Sequence, residues 1–127
     1  MAIRTELHVR LPNSPGALVG VCRLLASEHV NLLALSLEPR GELRLIVDNP
    51  LRAASALRGA YPRVDEHQVL VVSAPHAHGG LAPMLQLVAD AGVNIEYAYS
   101  APGDAPGTAT VVVGVEDAMR AGAVAGI

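Results

Sequence analysis

Polar and apolar residues alternate along Glu6-Leu7-His8-Val9-Arg10-Leu11, the pattern of a strand with one wet face. The period then changes. Apolar residues at Leu18, Val21, Cys22 and Leu25 share one helix face, with Asn13-Ser14-Pro15-Gly16 in front. Ser14 suits an N-cap, and Pro15 suits the first helical position, where its missing N–H costs nothing. The helix stops near His29, and Val30-Asn31-Leu32 opens a strand. Leu32 to Glu38 and Glu42 to Val47 read as two strands joined at Pro39-Arg40-Gly41, a hairpin connection. Asn49-Pro50 starts a second helix that runs to Leu57 or Arg58. Tyr61-Pro62 breaks it, and Val64 onward is extended again, which completes a βαββαβ unit.

The pattern then recurs. In a single shifted frame, His78-Gly79-Gly80 falls on Pro15-Gly16-Ala17, and Leu81, Met84, Leu85 and Val88 fall on the four apolar helix positions. Val93-Asn94-Ile95 falls on Val30-Asn31-Leu32 in the same frame, so the chain reads as an internal repeat. The second copy predicts a strand over Val69 to Ala74, a helix over Leu81 to Ala91 and a strand over Asn94 to Ser100. A Gly/Pro-rich connection, Ala101 to Gly107, leads to a strand over Thr108 to Val115, and a last helix starts near Glu116-Asp117. The hairpin loop of this copy is longer, so the frame moves on: Val115, Met119, Arg120 and Ala121 now match Val47, Leu51, Arg52 and Ala53. The chain ends at Ile127 with no room for a final strand. The expected units are residues 1–67 and 68–127.

Val69-Leu70-Val71-Val72 and Val111-Val112-Val113 do not alternate, which predicts strands buried on both faces. Helices cover one face, so the other needs a sister sheet or a second chain. Only Asp65 to Gln68 separates the last strand of the first unit from the first strand of the second, which allows one long strand shared by two sheets.

Composition narrows the function classes. About half of the residues are apolar, with no Phe or Trp and with Tyr61, Tyr97 and Tyr99 as the only aromatics. All nine basic residues are Arg, scattered in a chain of formal net charge −3. Nucleic-acid binding needs a basic patch and stacking platforms, and neither is visible. No apolar run approaches the roughly 20 residues of a membrane span. Met1 to Arg10 lacks a signal-peptide pattern, and the single Cys22 forbids an internal disulfide. These features together predict a cytoplasmic protein with neither nucleic acid nor membrane as partner.

Asn13-Ser14-Pro15-Gly16-Ala17-Leu18 followed by Val30-Asn31-Leu32, with His76-Ala77-His78-Gly79-Gly80-Leu81 followed by Val93-Asn94-Ile95, resembles a tandem pair of ACT domains. Glu96-Tyr97-Ala98-Tyr99 is similar to the Tyr-rich second strand of small stand-alone members. The resemblance implies an α+β fold: two ferredoxin-like βαββαβ modules, the second lacking its last strand, with antiparallel sheets and helices on one face. It implies a regulatory protein, not an enzyme, that binds a small molecule, usually an amino acid, where two ACT units meet. No cofactor and no metal is implied, and a homodimer is. By resemblance the ligand-binding residues are Asn13, Ser14, Pro15, Gly16, Ala17, Leu18 and Asn31 in the first copy. In the second they are His76, His78, Gly79, Gly80, Leu81 and Asn94. Here His76 stands in place of Asn13 and His78 in place of Pro15. An alternative within the same resemblance is a regulatory subunit, similar to that of acetolactate synthase, acting by contact with a catalytic partner enzyme.

Elementary chemistry bears on the same loops. A helix N-terminus presents unpaired N–H groups and partial positive charge, so a carboxylate docks there readily. An Asn side chain offers both donor and acceptor to an amino acid. Plainer readings stand beside these. Asn13 to Gly16 suits a simple helix start, and Asn31 and Asn94 suit turns. His76 and His78 suit an exposed loop, since a metal site needs three or four ligands. Tyr97 and Tyr99 suit a core, an interface or a pocket wall. Cys22 is expected in the core rather than as a nucleophile.

Overall fold

The computed structural model describes residues 2–125. In chain order the elements are β1 (Ala2–Arg10), α1 (Ala17–Ser27), β2 (Leu32–Leu37), β3 (Glu42–Val47), α2 (Pro50–Arg58), β4 (Val64–Pro75), α3 (Ala82–Asp90), β5 (Ile95–Pro102), β6 (Thr108–Val115) and α4 (Ala118–Ala125). This is the α+β, ferredoxin-like tandem arrangement that the repeat implies. The expectation that no strand follows the last helix bears on residues 126–127, outside the described residues. Contacts divide the chain into two compact units. One is Thr5–His67; the other is Gln68 onward together with the start of β1, through Arg4. They are termed the first and second modules.

In the first module the strand order is β2-β3-β1-β4. β1 and β3 are antiparallel, with Leu7 opposite Leu45 and Val9 opposite Leu43. These four side chains point to the helix-bearing face and are buried there with Val21 and Leu25 of α1 and Ala53, Ala54 and Leu57 of α2. Full burial of a Leu or Val side chain contributes about 1.5–3 kcal/mol each. Asn49 caps α2 as its sequence suggests: its side chain accepts from the Arg52 N–H, and Pro50 takes the first turn.

Three details of the first module differ from the sequence reading. α1 starts at Ala17, not at Pro15, because Gly16 adopts a left-handed backbone (φ +81°) that no α-helix continues. Ser14 therefore makes no side-chain cap. Cys22 is exposed. Each helical residue advances by about 100°, so Cys22 and Leu24 flank the Val21–Leu25 stripe on opposite sides, and the larger Leu24 takes the core side. Finally, the polar face of β1 is wet only toward its ends, where Arg4 and Arg10 are exposed. Glu6 is fully buried, with His8 Nε2 at 2.5 Å from its carboxylate. The His8 ring stacks on His67 at 4.0 Å between centroids. A carboxylate out of water requires such partners.

In the second module the order is β1-β4-β6-β5, and the part of β1 involved is its first residues. β4 pairs antiparallel with β6 (Leu70 opposite Val113), and β6 with β5 (Tyr99 opposite Val112). Leu70, Val72, Val111 and Val113 meet Val88 of α3 and Ala118 and Ala121 of α4, while Val69 and Val112, on the opposite face, are buried too. The absence of alternation in these strands thus reflects burial on both faces. Ile3 packs against this second core, so the start of β1 stands beside β4 where a fourth strand would lie.

The repeat is written in the backbone as well. Gly79, which the shifted frame places on Gly16, is also left-handed (φ +70°). α1 ends on left-handed His29 and α3 on left-handed Gly92, again equivalent positions in that frame. In both helix ends the next residue's N–H returns to a helix carbonyl, Val30 to Leu25 and Val93 to Val88. Among the described residues, no helix is long and apolar enough to cross a membrane.

Ile3→Asp tests the role of the β1 start. Amide hydrogen exchange is expected to accelerate over residues 68–75 of β4 and leave the Leu7–Leu45 pairing protected. Equal acceleration in both modules would contradict this assignment.

Candidate functional site

The first module carries a groove of about 440 Å³. Its walls are the loop from β1 into α1, the first turn of α1 and the β2–β3 hairpin. The loop is built by short-range bonds: the Ser14 N–H donates to the Pro12 carbonyl and the Ala17 N–H to that of Ser14. The hairpin is tied to it by the Leu11 N–H, which donates to the Gly41 carbonyl at 2.7 Å. Gly41 is left-handed (φ +86°), and a Cβ there would lie 2.3 Å from the Leu11 carbonyl oxygen. Only glycine lets the hairpin approach this closely.

Asn13, Ser14, Gly16, Ala17 and Leu18 all line this groove. Pro15 belongs to the same turn and is exposed. The groove also takes Leu11, Pro12, Val19, Leu37, Glu38, Pro39 and Gly41, which sequence reasoning did not single out. Val19 and Leu37 are exposed apolar side chains (48% and 44%), and Glu38 accepts an ion pair from Arg44 Nη1. Their signal was available in principle: a hairpin two strands away can face the β1–α1 loop, but the register that brings Leu37 and Glu38 there is tertiary. Gly16 turns out to matter for its backbone sign, since nothing stands within 4 Å of where its Cβ would be.

The helix starts differ in a consistent way. α2 is capped by Asn49, and the Asp117 carboxylate accepts from the Arg120 N–H at the start of α4. α1 and α3, the two helices that follow the repeated glycine loops, have no side-chain cap. The first turn of α1, whose Ala17 N–H donates to the Ser14 carbonyl, lines the groove.

Asn31 is not brought to the groove. It sits at the opposite end of the module, where its N–H donates to Asp48 Oδ1 at 2.9 Å and its carbonyl accepts from the Asp48 N–H at 3.1 Å. The first copy's two asparagines are thus separated, and the Asn31 backbone ties the start of β2 to the end of β3 through Asp48. In the second module His76, His78 and Gly79 are exposed, and the His76 N–H donates to the Gly107 carbonyl at 2.8 Å. Gly80 is held close to the end of β4, its Cβ position 2.2 Å from the Pro75 carbonyl oxygen, and Leu81 leads into α3 half-open to solvent. Asn94 lines a separate polar cavity of about 320 Å³ with Glu96, Glu116, Asp117 and Arg120. Tyr97 lies flat over Gly114, where a Cβ would meet the ring at 2.2 Å, and stacks with Tyr99 at 6.5 Å. Among the described residues no three His, Cys, Asp or Glu side chains group as a metal site.

No family model matches the sequence, and no curated protein matches it. Among solved structures the chain is similar to protein BT0572 from Bacteroides thetaiotaomicron, at 32% identity and TM-score 0.83, covering 96% of this chain and 85% of that one. It is similar to the ligand-free regulatory subunit of aspartate kinase from Thermus thermophilus, at 20% identity and TM-score 0.67, covering 98% and 92%. The regulatory subunit of aspartate kinase from Thermus flavus gives 19% identity and TM-score 0.64, covering 98% and 94%. The two kinase subunits share the fold.

The two groove glycines separate conformational strain from crowding. Gly16→Ala is expected to cost about 1–2 kcal/mol, the left-handed penalty alone. Gly41→Ala should cost clearly more, because its methyl also meets backbone. Urea denaturation of both variants checks the order, and equal losses would refute it.

Proposed function

The chain belongs to the tandem ACT-domain proteins, and from that premise we propose that it is a regulatory protein that binds an amino acid in the groove of its first module. The observation that carries the proposal is the groove itself, set against the uncapped start of α1. Its volume of about 440 Å³ falls in the range of roughly 300–1,000 Å³ usual for small-molecule sites. It combines an apolar wall with backbone donors at one end, which is how such sites hold and orient a ligand. Of the residues expected to bind, Asn13, Ser14, Gly16, Ala17 and Leu18 are in this reading the ones that do. The loop of His76, His78, Gly79, Gly80 and Leu81 and the Asn94 cavity are secondary candidates in the second module.

The mechanism is a shift of population. A ligand that fits the groove better in one arrangement of the protein favours that arrangement by its differential affinity and by nothing else. A homodimer belongs to the same reading. β2 is an edge strand of its module, and its exposed Leu35 and Leu37 present apolar surface beside the groove, the kind of edge that natural proteins otherwise protect. The protein in this reading is a cytoplasmic sensor without catalysis of its own.

A second reading is a regulatory subunit acting on a catalytic partner, such as an amino-acid biosynthetic enzyme. It is favoured by Leu51 and Met119, equivalent positions of the repeat near the starts of α2 and α4, which are 81% and 63% exposed. Repeated apolar side chains held in water fit a contact surface.

A thermal-shift screen against the twenty amino acids tests the leading proposal. A ligand at 100 times its dissociation constant stabilises by about 2.7 kcal/mol, which raises Tm by several degrees in a chain of this size. A flat response to all twenty at millimolar concentration sinks it.

A further inference from the structure

Resting on the reading of the groove as an amino-acid site, we propose that its ligand is an α-amino acid with an uncharged apolar side chain, and that Glu38 holds the ligand's ammonium group. The chemistry of the groove is unequal around its rim. At one end stand the uncapped N–H groups of α1, which accept a carboxylate. At the hairpin stands Glu38, the one charged side chain among the described residues that line the groove. Its side chain is 45% exposed, and one of its carboxylate oxygens engages Arg44. Between these poles the wall is Leu11, Leu18, Val19 and Leu37. A zwitterion laid across the groove places its carboxylate at the helix, its ammonium at Glu38 and its side chain on the aliphatic wall.

This arrangement also selects against other side chains. A lysine or arginine would set its second cation against Val19 and Leu37 with no second carboxylate to meet it. An aspartate or glutamate would bring a second carboxylate beside Glu38, whose cationic neighbour Arg44 is already paired with it. A second charge gains no partner on this wall, whereas each methylene placed on it strengthens binding about fourfold. Discrimination therefore comes as much from rejection as from attraction.

Calorimetric titration of the full chain with L-leucine, L-methionine, L-alanine, L-lysine and L-aspartate tests the proposal. It is repeated on Glu38→Gln and on Val19→Asp, an exposed position where folding is expected to survive. The expected result is that L-leucine and L-methionine bind about tenfold or more tighter than L-alanine, with lysine and aspartate weaker still. Glu38→Gln should weaken L-leucine by about tenfold. 4-Methylpentanoate, which is leucine without its ammonium, should bind wild type and Glu38→Gln alike. If lysine or aspartate binds best, and Val19→Asp changes that binding, the groove is the site and the ligand class is wrong. An equal loss of 4-methylpentanoate and L-leucine in Glu38→Gln removes the ammonium role. If no amino acid binds, or Val19→Asp changes none of the affinities, the groove reading itself fails and this proposal fails with it.

Discussion

A pair of helices with one apolar face each needs a sheet wide enough to cover both, and in each module of this chain that means four strands. The first module meets the requirement from contiguous sequence: β1, β2, β3 and the beginning of β4 carry α1 and α2. Among the described residues the second has β4, β5 and β6 in sequence after the boundary, and without a neighbour this part of β4 would be an unpaired edge. The start of β1 takes that place and sends Ile3 into the second core. The length of β1 and β4, nine and twelve residues, follows from this double duty. Most strands in globular proteins run about five or six residues.

The same economy shapes the loops. Each module turns from its first strand into its first helix through a left-handed glycine, Gly16 or Gly79, and leaves that helix through a left-handed residue, His29 or Gly92. A left-handed residue directly ahead of a helix displaces the side chain that would otherwise have capped it. The lack of a side-chain cap at α1 is thus a consequence of the turn, and Ser14, just ahead of the helix, takes the Ala17 N–H with its backbone carbonyl rather than its hydroxyl. The hairpin glycine Gly41 then brings the second wall into place by approaching Leu11 more closely than any side chain would permit.

Element types were legible because they are local. The period change at Leu18, the hairpin at Pro39-Arg40-Gly41 and the cap at Asn49-Pro50 each depend on a few adjacent residues. The repeat was legible because two copies preserve the same spacing between glycine and strand start. What stayed hidden depends on neighbours far away in the chain. Alternation in β1 marks Glu6 as polar but does not say that His8 and Arg44 stand beside it in a buried setting. Helical spacing puts both Cys22 and Leu24 near the core stripe, and only packing decides between them. Asn13 and Asn31 have the same side chain, yet one lines the groove and the other is held by Asp48, because β1 and β2 present their loops at opposite ends of the module.

That opposition bears on how far the two copies can share a function. In the first module the left-handed glycine loop faces a short hairpin, Pro39-Arg40-Gly41, which brings Leu37 and Glu38 beside α1. In the second the corresponding connection is longer, and it folds on itself: the Thr108 hydroxyl and N–H both donate to the Ala105 carbonyl, and the Gly103 N–H donates to that of Thr108. The loop partner changes too, with His76 where Asn13 stands and His78 where Pro15 stands. The two modules therefore have the same backbone turn at the helix start and different chemistry opposite it. Both copies keep a left-handed glycine ahead of the first helix, Gly16 and Gly79, while the left-handed residue that ends that helix is His29 in one and Gly92 in the other. The loop and hairpin that would meet a ligand differ between the copies, and the first module is the one whose groove joins an aliphatic surface to a carboxylate.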